Sequence, residues 1–214
     1  MSRFDDDGGV SSDQLVVTVN NVAPQNLNAG ANRTVSEGMP VSFTGSFADT
    51  GSADTQTLTW QVVSTNGEVL PGESGATFTF IPSDDGTYTV TFTVKDDDGG
   101  ATSTKAIVTV NNIAPTAAAG ADQTVNEGDR VTLIGGVTDP SNRDTFTFRW
   151  HVVSTNGEVI PDGSGQNFTF RPGDNGIYTV TFTVQDDNNG SRSDEMVVTV
   201  NNVAPEQTLA LIKP

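Results

Sequence analysis

GTYTVTFTV at residues 86–94 returns at residues 176–184 as GIYTVTFTV. In the first copy Tyr88, Val90, Phe92 and Val94 alternate with threonines. A period of two predicts a strand with one buried and one wet face, and branching at Cβ suits Val and Thr to a pleated surface. The same alternation runs through Val41, Phe43 and Phe47, then Leu58, Trp60 and Val62, then Phe78 and Phe80, then Ala106, Val108 and Val110. No segment sustains a period of 3.6, and SEGMP, PSDDG and DDDGG mark turns between the alternations.

The doubling extends well beyond that strand. Trp60 and Trp150 stand ninety residues apart, as do Tyr88 and Tyr178, and VVSTNGEV at residues 62–69 recurs unchanged at 152–159. VTVNNVAP at residues 17–24 returns at 198–205, and as VTVNNIAP at 108–115. Self-similarity at a fixed period is the mark of a repeat architecture. It divides the chain into module one, residues 20–110, and module two, residues 111–200. Residues 1–19 align with the closing strand of a module, so they read as the terminal strand of a preceding repeat. Residues 201–214 read as a linker and the start of a next one. The expectation is a segment of a longer array. About seven short alternating strands per module predict an all-β chain of tandem immunoglobulin-like antiparallel β-sandwiches, with Trp60 and Trp150 in the two cores on the third strand.

Composition narrows the function classes. Asp and Glu number 27 against 10 Lys and Arg, a net charge of -17. Nucleic acid and anionic membrane surfaces are poor partners for such a chain, because phosphate binding needs clustered basic groups. No apolar run approaches the roughly 18 residues that span a bilayer, so no membrane insertion is expected. There is no cysteine, which excludes disulfides and thiolate metal sites. The single histidine, His151, faces Gln61 at the matching place in module one, so no repeated catalytic use of it exists. No nucleophile–base–acid spacing stands out, and no enzyme activity is expected.

The acidic residues sit where loops converge. In an immunoglobulin-like sandwich the loops after the second and sixth strands share one end with the start of the first strand. In module one these carry Asp49, Asp54, Asp96 and Asp98, and the entering linker brings Asn20 and Asn21. In module two they carry Asp139, Asp144, Asp186 and Asn188, with Asn111 and Asn112 on the linker. Glu37 and the DDG turn at residues 84–86 lie at the opposite end of module one and can reach the junction from the other side. Calcium takes six to eight oxygens from carboxylates, Asn side chains and carbonyls, and a divalent ion removes the repulsion between converging carboxylates. These thirteen residues are therefore candidate calcium ligands. The plain alternative is a set of solvated Asp/Asn/Gly turns, which every sandwich carries.

The chain resembles the PKD family, the immunoglobulin-like repeats named after the polycystic kidney disease protein. The resemblance rests on AGANRTVSEG and AGADQTVNEG near each module's start, one Trp on the third strand, and GTYTVTFTVKDDDGG with GIYTVTFTVQDDNNG near the end. It covers both modules. The chain departs from the family where QVVSTNG and HVVSTNG follow the Trp in place of the frequent Asp-Phe-Gly-Asp-Gly. The resemblance implies a non-catalytic extracellular or cell-surface module, used in bacterial surface proteins as a spacer or adhesion element. The layout of Asn- and Pro-containing linkers between acidic loops is also similar to cadherin junctions, which hold calcium. The expected partners are neighbouring repeats of the same chain and cell-surface proteins or polysaccharides, and the orphan strand at residues 15–19 is a candidate for adding to another sheet. An alternative, an accessory carbohydrate- or protein-binding module of a secreted hydrolase, predicts aromatics exposed on one sheet face.

Overall fold

The computed structural model describes residues 3–4, 6–8, 10–51 and 53–205. Among them there is no helix, and so none long and apolar enough to cross a membrane. A short hairpin, β1 (Arg3–Phe4) with β2 (Val10–Ser11), opens the chain. Module one follows as β3 (Gln25–Asn28), β4 (Arg33–Ser36), β5 (Val41–Thr44), β6 (Ser46–Ala48), β7 (Gln56–Ser64), β8 (Glu73–Ser74), β9 (Thr77–Phe80), β10 (Gly86–Asp96) and β11 (Ala101–Asn111). Module two repeats it as β12 (Thr116–Ala118), β13 (Gln123–Asn126), β14 (Val131–Ile134), β15 (Gly136–Thr138), β16 (Phe146–Ser154), β17 (Asn167–Phe170), β18 (Gly176–Asp186) and β19 (Ser191–Asn201).

One layer of module one is the sheet β4–β11–β10–β7–β8, and the other consists of the pairs β3–β6 and β5–β9. Module two has β13–β19–β18–β16 against β12–β15 and β14–β17, with a lone bridge between Trp150 and Gly163 where module one has β8. Counting the broken strands β3/β4 and β5/β6 once each gives the expected seven in module one. Pairing is antiparallel except at one edge per module, where β4 runs parallel to β11 and β13 to β19. The first strand leaves one layer at the positive-φ Gly30 (φ 92°) and joins the other, covering the open edge of the last strand.

The quoted alternation lies at the centre. Tyr88, Val90, Phe92 and Val94 are fully buried, as are Tyr178, Val180, Phe182 and Val184. Phe92 is paired with Trp60 on β7, their rings 4.4 Å apart between centroids, and the Trp60 indole N–H donates to the Gly75 carbonyl at 3.0 Å. Phe43, Phe78 and Phe80 complete the same core. Aromatic pairs at such spacings add roughly 0.5–1.5 kcal/mol beyond the burial of their area. The break between β5 and β6 falls at Gly45, whose Cα lies under the Phe92 ring.

Two expectations about the ends meet the structure differently. β11 runs through Asn111, one residue past the boundary drawn from the repeat. Residues 12–24 form no strand, and Leu15, Val16, Val17 and Val19 are exposed (73–88%). A closing strand gains its ladder and its buried face only from the sandwich it belongs to. Of the segment 201–214, read as a linker and the start of a next repeat, Asn201 ends β19, residues 202–205 follow it without regular structure, and 206–214 lie outside the described residues.

Candidate metal centre

At the upper end of module two, the β15–β16 loop, the β18–β19 turn and the entering linker converge. Asp186 closes β18 with only 5% of its surface exposed. Its Oδ1 accepts the Gly190 N–H (2.6 Å) and the Asn188 N–H (3.0 Å), and its Oδ2 accepts Asn112 Nδ2 (2.9 Å). Asp139 Oδ1 accepts the Ser141 N–H (2.8 Å), and the N–H groups of Arg143 and Asp144 both donate to Ser141 Oγ at 3.2 Å. These are short-range turn bonds of the kind Asp and Ser make, and they fix the loop. They leave Asp139 Oδ2, Asp144 Oδ2 and Asn112 Oδ1 buried without a partner. Carboxylate oxygens of Asp139, Asp144 and Asp186 come within 4.8 Å of one another.

The lower end of module one closes the cluster. Glu37, 1% exposed, sits in the turn after β4. Its N–H donates to the Asn111 carbonyl (3.1 Å), its Oε1 accepts the Ile113 N–H (2.8 Å), and its Oε2 is buried without a partner. Oxygens of Glu37, Asp84 and Asp144 form a second group within 4.8 Å. Arg143 reaches across the junction, donating from Nε to Asp84 Oδ2 (3.2 Å) and from Nη2 to the Asn66 carbonyl (3.4 Å). Gly38 permits the approach: its φ is 73°, and a Cβ there would stand 3.1 Å from Pro140 Cβ. Module two supplies an internal comparison. Glu127 Oε1 accepts the Val203 N–H (2.9 Å) just as Glu37 accepts that of Ile113, yet Glu127 is only half-buried. Contact with module two is what encloses Glu37.

The electrostatics follow from the burial. Burial pushes the Glu37 carboxyl up to about 7, against the Ile113 N–H that favours its ionised form, and Asp144, Asp139 and Asp85 add to the rise. Asp139 and Asp144 are raised for the same first reason, with the Ser141 hydrogen bonds opposing. Removing a buried carboxylate oxygen from water without a partner costs about 1–3 kcal/mol, and more when it is ionised. A cation bound by these oxygens would relieve that cost, so the residues present fit a hard divalent ion.

The upper end of module one has the same parts in a more open form. Asp96 accepts Asn21 Nδ2 (3.0 Å) and the Gly100 N–H (2.6 Å), and Asp49 accepts Gln56 Nε2 (3.1 Å). Oxygens of Asp49, Asp54 and Asp96 converge within 4.8 Å, as do those of Asp54, Asp97 and Asp98. Burial first, then Asp49 and Asp97, raise the Asp54 carboxyl.

The structure therefore gathers most of the expected residues and sorts them. Asn21 and Asn112 are the linker side chains against carboxylates. The Asn20 and Asn111 side chains are exposed, Asn111 joining through its carbonyl, and Asn188 meets Asp186 through its backbone. Sequence reasoning missed Ser141 and Arg143. The only hint of Arg143 is that Ala53 stands at its place in module one.

The recurring VVSTNGEV also acquires a role. The Tyr88 hydroxyl donates to Glu68 Oε2 (2.5 Å), accepts Asn66 Nδ2 (2.8 Å) and stands 2.8 Å from the Asp84 carbonyl. Glu68 also accepts Ser83 N–H and Oγ. This brace holds the Asp84 turn that faces module two. Tyr178, Glu158 and Asn156 repeat it in module two. Tyr88→Phe is expected to lower module-one stability by about 1 kcal/mol in a denaturant titration, because the half-buried Glu68 loses one donor and keeps only those of Ser83.

Among known proteins, a K319L-like PKD domain family matches residues 119–200 and a PKD domain family matches residues 21–111. No curated protein sequence matches the chain. The solution structure of the PKD domain of human KIAA0319 is similar at 22% identity and a TM-score of 0.39, covering 47% of this chain and 92% of that one. Extracellular domains 3–5 of Drosophila OTK are similar at 15% identity and a TM-score of 0.40, covering 85% and 67%. The three N-terminal domains of the bacteriophage RB49 outer capsid protein Hoc are similar at 19% and 0.33, covering 84% and 59%. The two matched families span both sandwiches, and the chain belongs to the PKD-domain family as a tandem of two such domains.

Proposed function

We propose that the chain is a semi-rigid, non-catalytic spacer or adhesion array of an extracellular or cell-surface protein, its modules locked end to end by calcium. The observation that carries this reading is the set of four buried, unpartnered oxygens at the junction, on Glu37, Asn112, Asp139 and Asp144. The linker supports it: only residues 112–115 separate β11 from β12, and Pro115 is buried. Proline restricts the residue before it to extended geometry, so a short linker of this kind limits hinging. Stability of such an array is the sum of module cores and neighbour contacts.

The other readings have less support. His151 pairs with Asp162 at 2.8 Å on an exposed face, with Arg149 at 2.7 Å on the same carboxylate, which is an ordinary surface ion network. The Phe, Tyr and Trp side chains of the two modules pack in or against the two cores, away from the sheet faces that a stacked sugar ring needs.

The test is a thermal scan of the whole chain, stripped of metal and then with millimolar calcium. Binding to the native state alone stabilises it by about 2.7 kcal/mol at a hundredfold excess over Kd, so the midpoint should rise by several degrees. An unchanged midpoint would overturn the calcium part of the reading.

A further inference from the structure

We propose that the junction takes two divalent cations in adjacent sites that share the Asp144 carboxylate, one enclosed by module two and its linker, the other bridging the modules through Glu37 and Asp84. The inference rests on the calcium reading above and adds to it a stoichiometry and a division of labour.

The oxygens are arranged in two groups. Asp139, Asp144 and Asp186 form one; Glu37, Asp84 and Asp144 form the other; Asp144 alone belongs to both. Calcium–oxygen bonds of about 2.3–2.6 Å let one ion span oxygens up to roughly 5 Å apart. Each group satisfies that limit, whereas no single group among the described residues holds all five carboxylates. One ion placed for the first group leaves Glu37 behind.

Glu37 is the independent observation. It is 1% exposed, its Oε1 is used by the Ile113 N–H, and its Oε2 is buried with no partner. An acidic turn that merely faced solvent would not bury a carboxylate oxygen in this way, as the half-buried Glu127 at the equivalent place shows. Asn112 Oδ1 and Asp139 Oδ2 are the matching orphans of the first site. Orphaned oxygens thus stand on both sides of Asp144, whose own Oδ2 is also without a partner.

Charge points the same way. Five carboxylates and the Arg143 guanidinium carry four net negative charges, which two divalent cations balance and one does not. Two like charges at 4.8 Å repel by about 3–4 kcal/mol at an effective dielectric constant near 20. Arg143 lies at the outer rim, its side chain 40% exposed, and Asp84 is the one carboxylate of the five that it pairs with. The first ion sets the loops of module two; the second requires both modules in register, so its occupancy reports their docking.

Native mass spectrometry and calorimetric titration with calcium chloride on the full chain decide the matter. Wild type should bind one more calcium than Glu37→Gln and one more than Asp84→Asn, both variants keeping the remaining ions. Asp84 is the less enclosed of the two, so its variant guards against a packing defect at Glu37. Asp144→Asn should lose two. Equal stoichiometry in wild type, Glu37→Gln and Asp84→Asn overturns the second ion while leaving calcium binding intact. A wild-type chain that takes up no calcium overturns both.

Discussion

Gly45→Ala is expected to unfold module one at a far lower temperature while leaving the module-two transition in place. A Cβ on Gly45 would stand 2.5 Å from Phe92 Cζ and 2.6–2.7 Å from two further ring carbons. Phe92 cannot retreat: it is fully buried, its ring 4.4 Å from that of Trp60. Gly45 is itself held by a 2.8 Å bond from its N–H to the Ala76 carbonyl. Overpacking of a dense core costs about 1–3 kcal/mol or more. For a module of this size each kcal/mol lowers the midpoint by roughly 4–8 °C, so a fall of about 10–20 °C is the expectation. Gly135→Ala should do the same to module two, because Phe182 occupies the matching place. Phe92→Leu alone creates a void and also destabilises, but the pair Gly45→Ala/Phe92→Leu should lose less than the sum of the single losses, since the leucine vacates the space that the methyl group needs. Calorimetry resolves the two transitions. A Gly45→Ala midpoint within about 2 °C of wild type, or strict additivity in the double variant, would sink the close-approach argument.

Much of this was legible in residues 86–94, and the limits of that legibility are physical. Alternation identified β10 and β18, because burying one face of a strand is a local property of a period-two pattern. Gly45 was legible only as a glycine within a strand; that an aromatic ring from the facing sheet presses on it depends on packing between residues 47 positions apart. The crossover of the first strand was hidden because β3 and β4 are each four residues long, too short for periodicity to show which layer they join. Asp49, Asp54, Asp139, Asp144 and Asp186 were found because a sandwich brings those loops to one end whatever their sequence. Which asparagine of each NN pair meets a carboxylate was not, since that turns on one residue of register in the linker. Arg143 escaped altogether: it pairs with an Asp84 that only docking brings near.

Acid should stabilise the metal-free junction and destabilise the calcium-loaded one. Glu37 is raised from 4.5 to about 7 in the folded chain, so between those values the native state holds a proton that the unfolded state has released. A raised carboxylate contributes stability that is full below about 4.5 and is lost as pH rises through about 7. The groups packed against it reinforce the sign: Asp139, Asp144 and Asp85 are also raised, burial first in each case. Arg143 opposes it only at the rim, through Asp84. The full contribution of Glu37 is at most about 3 kcal/mol. Calcium reverses the dependence, because ligands must be ionised to bind and protons then compete with the ion. Melting curves between pH 8 and pH 5.5 should therefore rise towards acid in metal-free buffer and fall towards acid in millimolar calcium. Glu37→Gln, neutral at every pH, should flatten the metal-free curve more than the calcium one, which still responds through the remaining ligands Asp139 and Asp144. A metal-free midpoint that drops steadily from pH 8 to 5.5 would mean that Glu37 stays ionised in the folded chain, and the junction would then owe its alignment to the Arg143–Asp84 pair and the Ile113 hydrogen bond rather than to an enclosed acid.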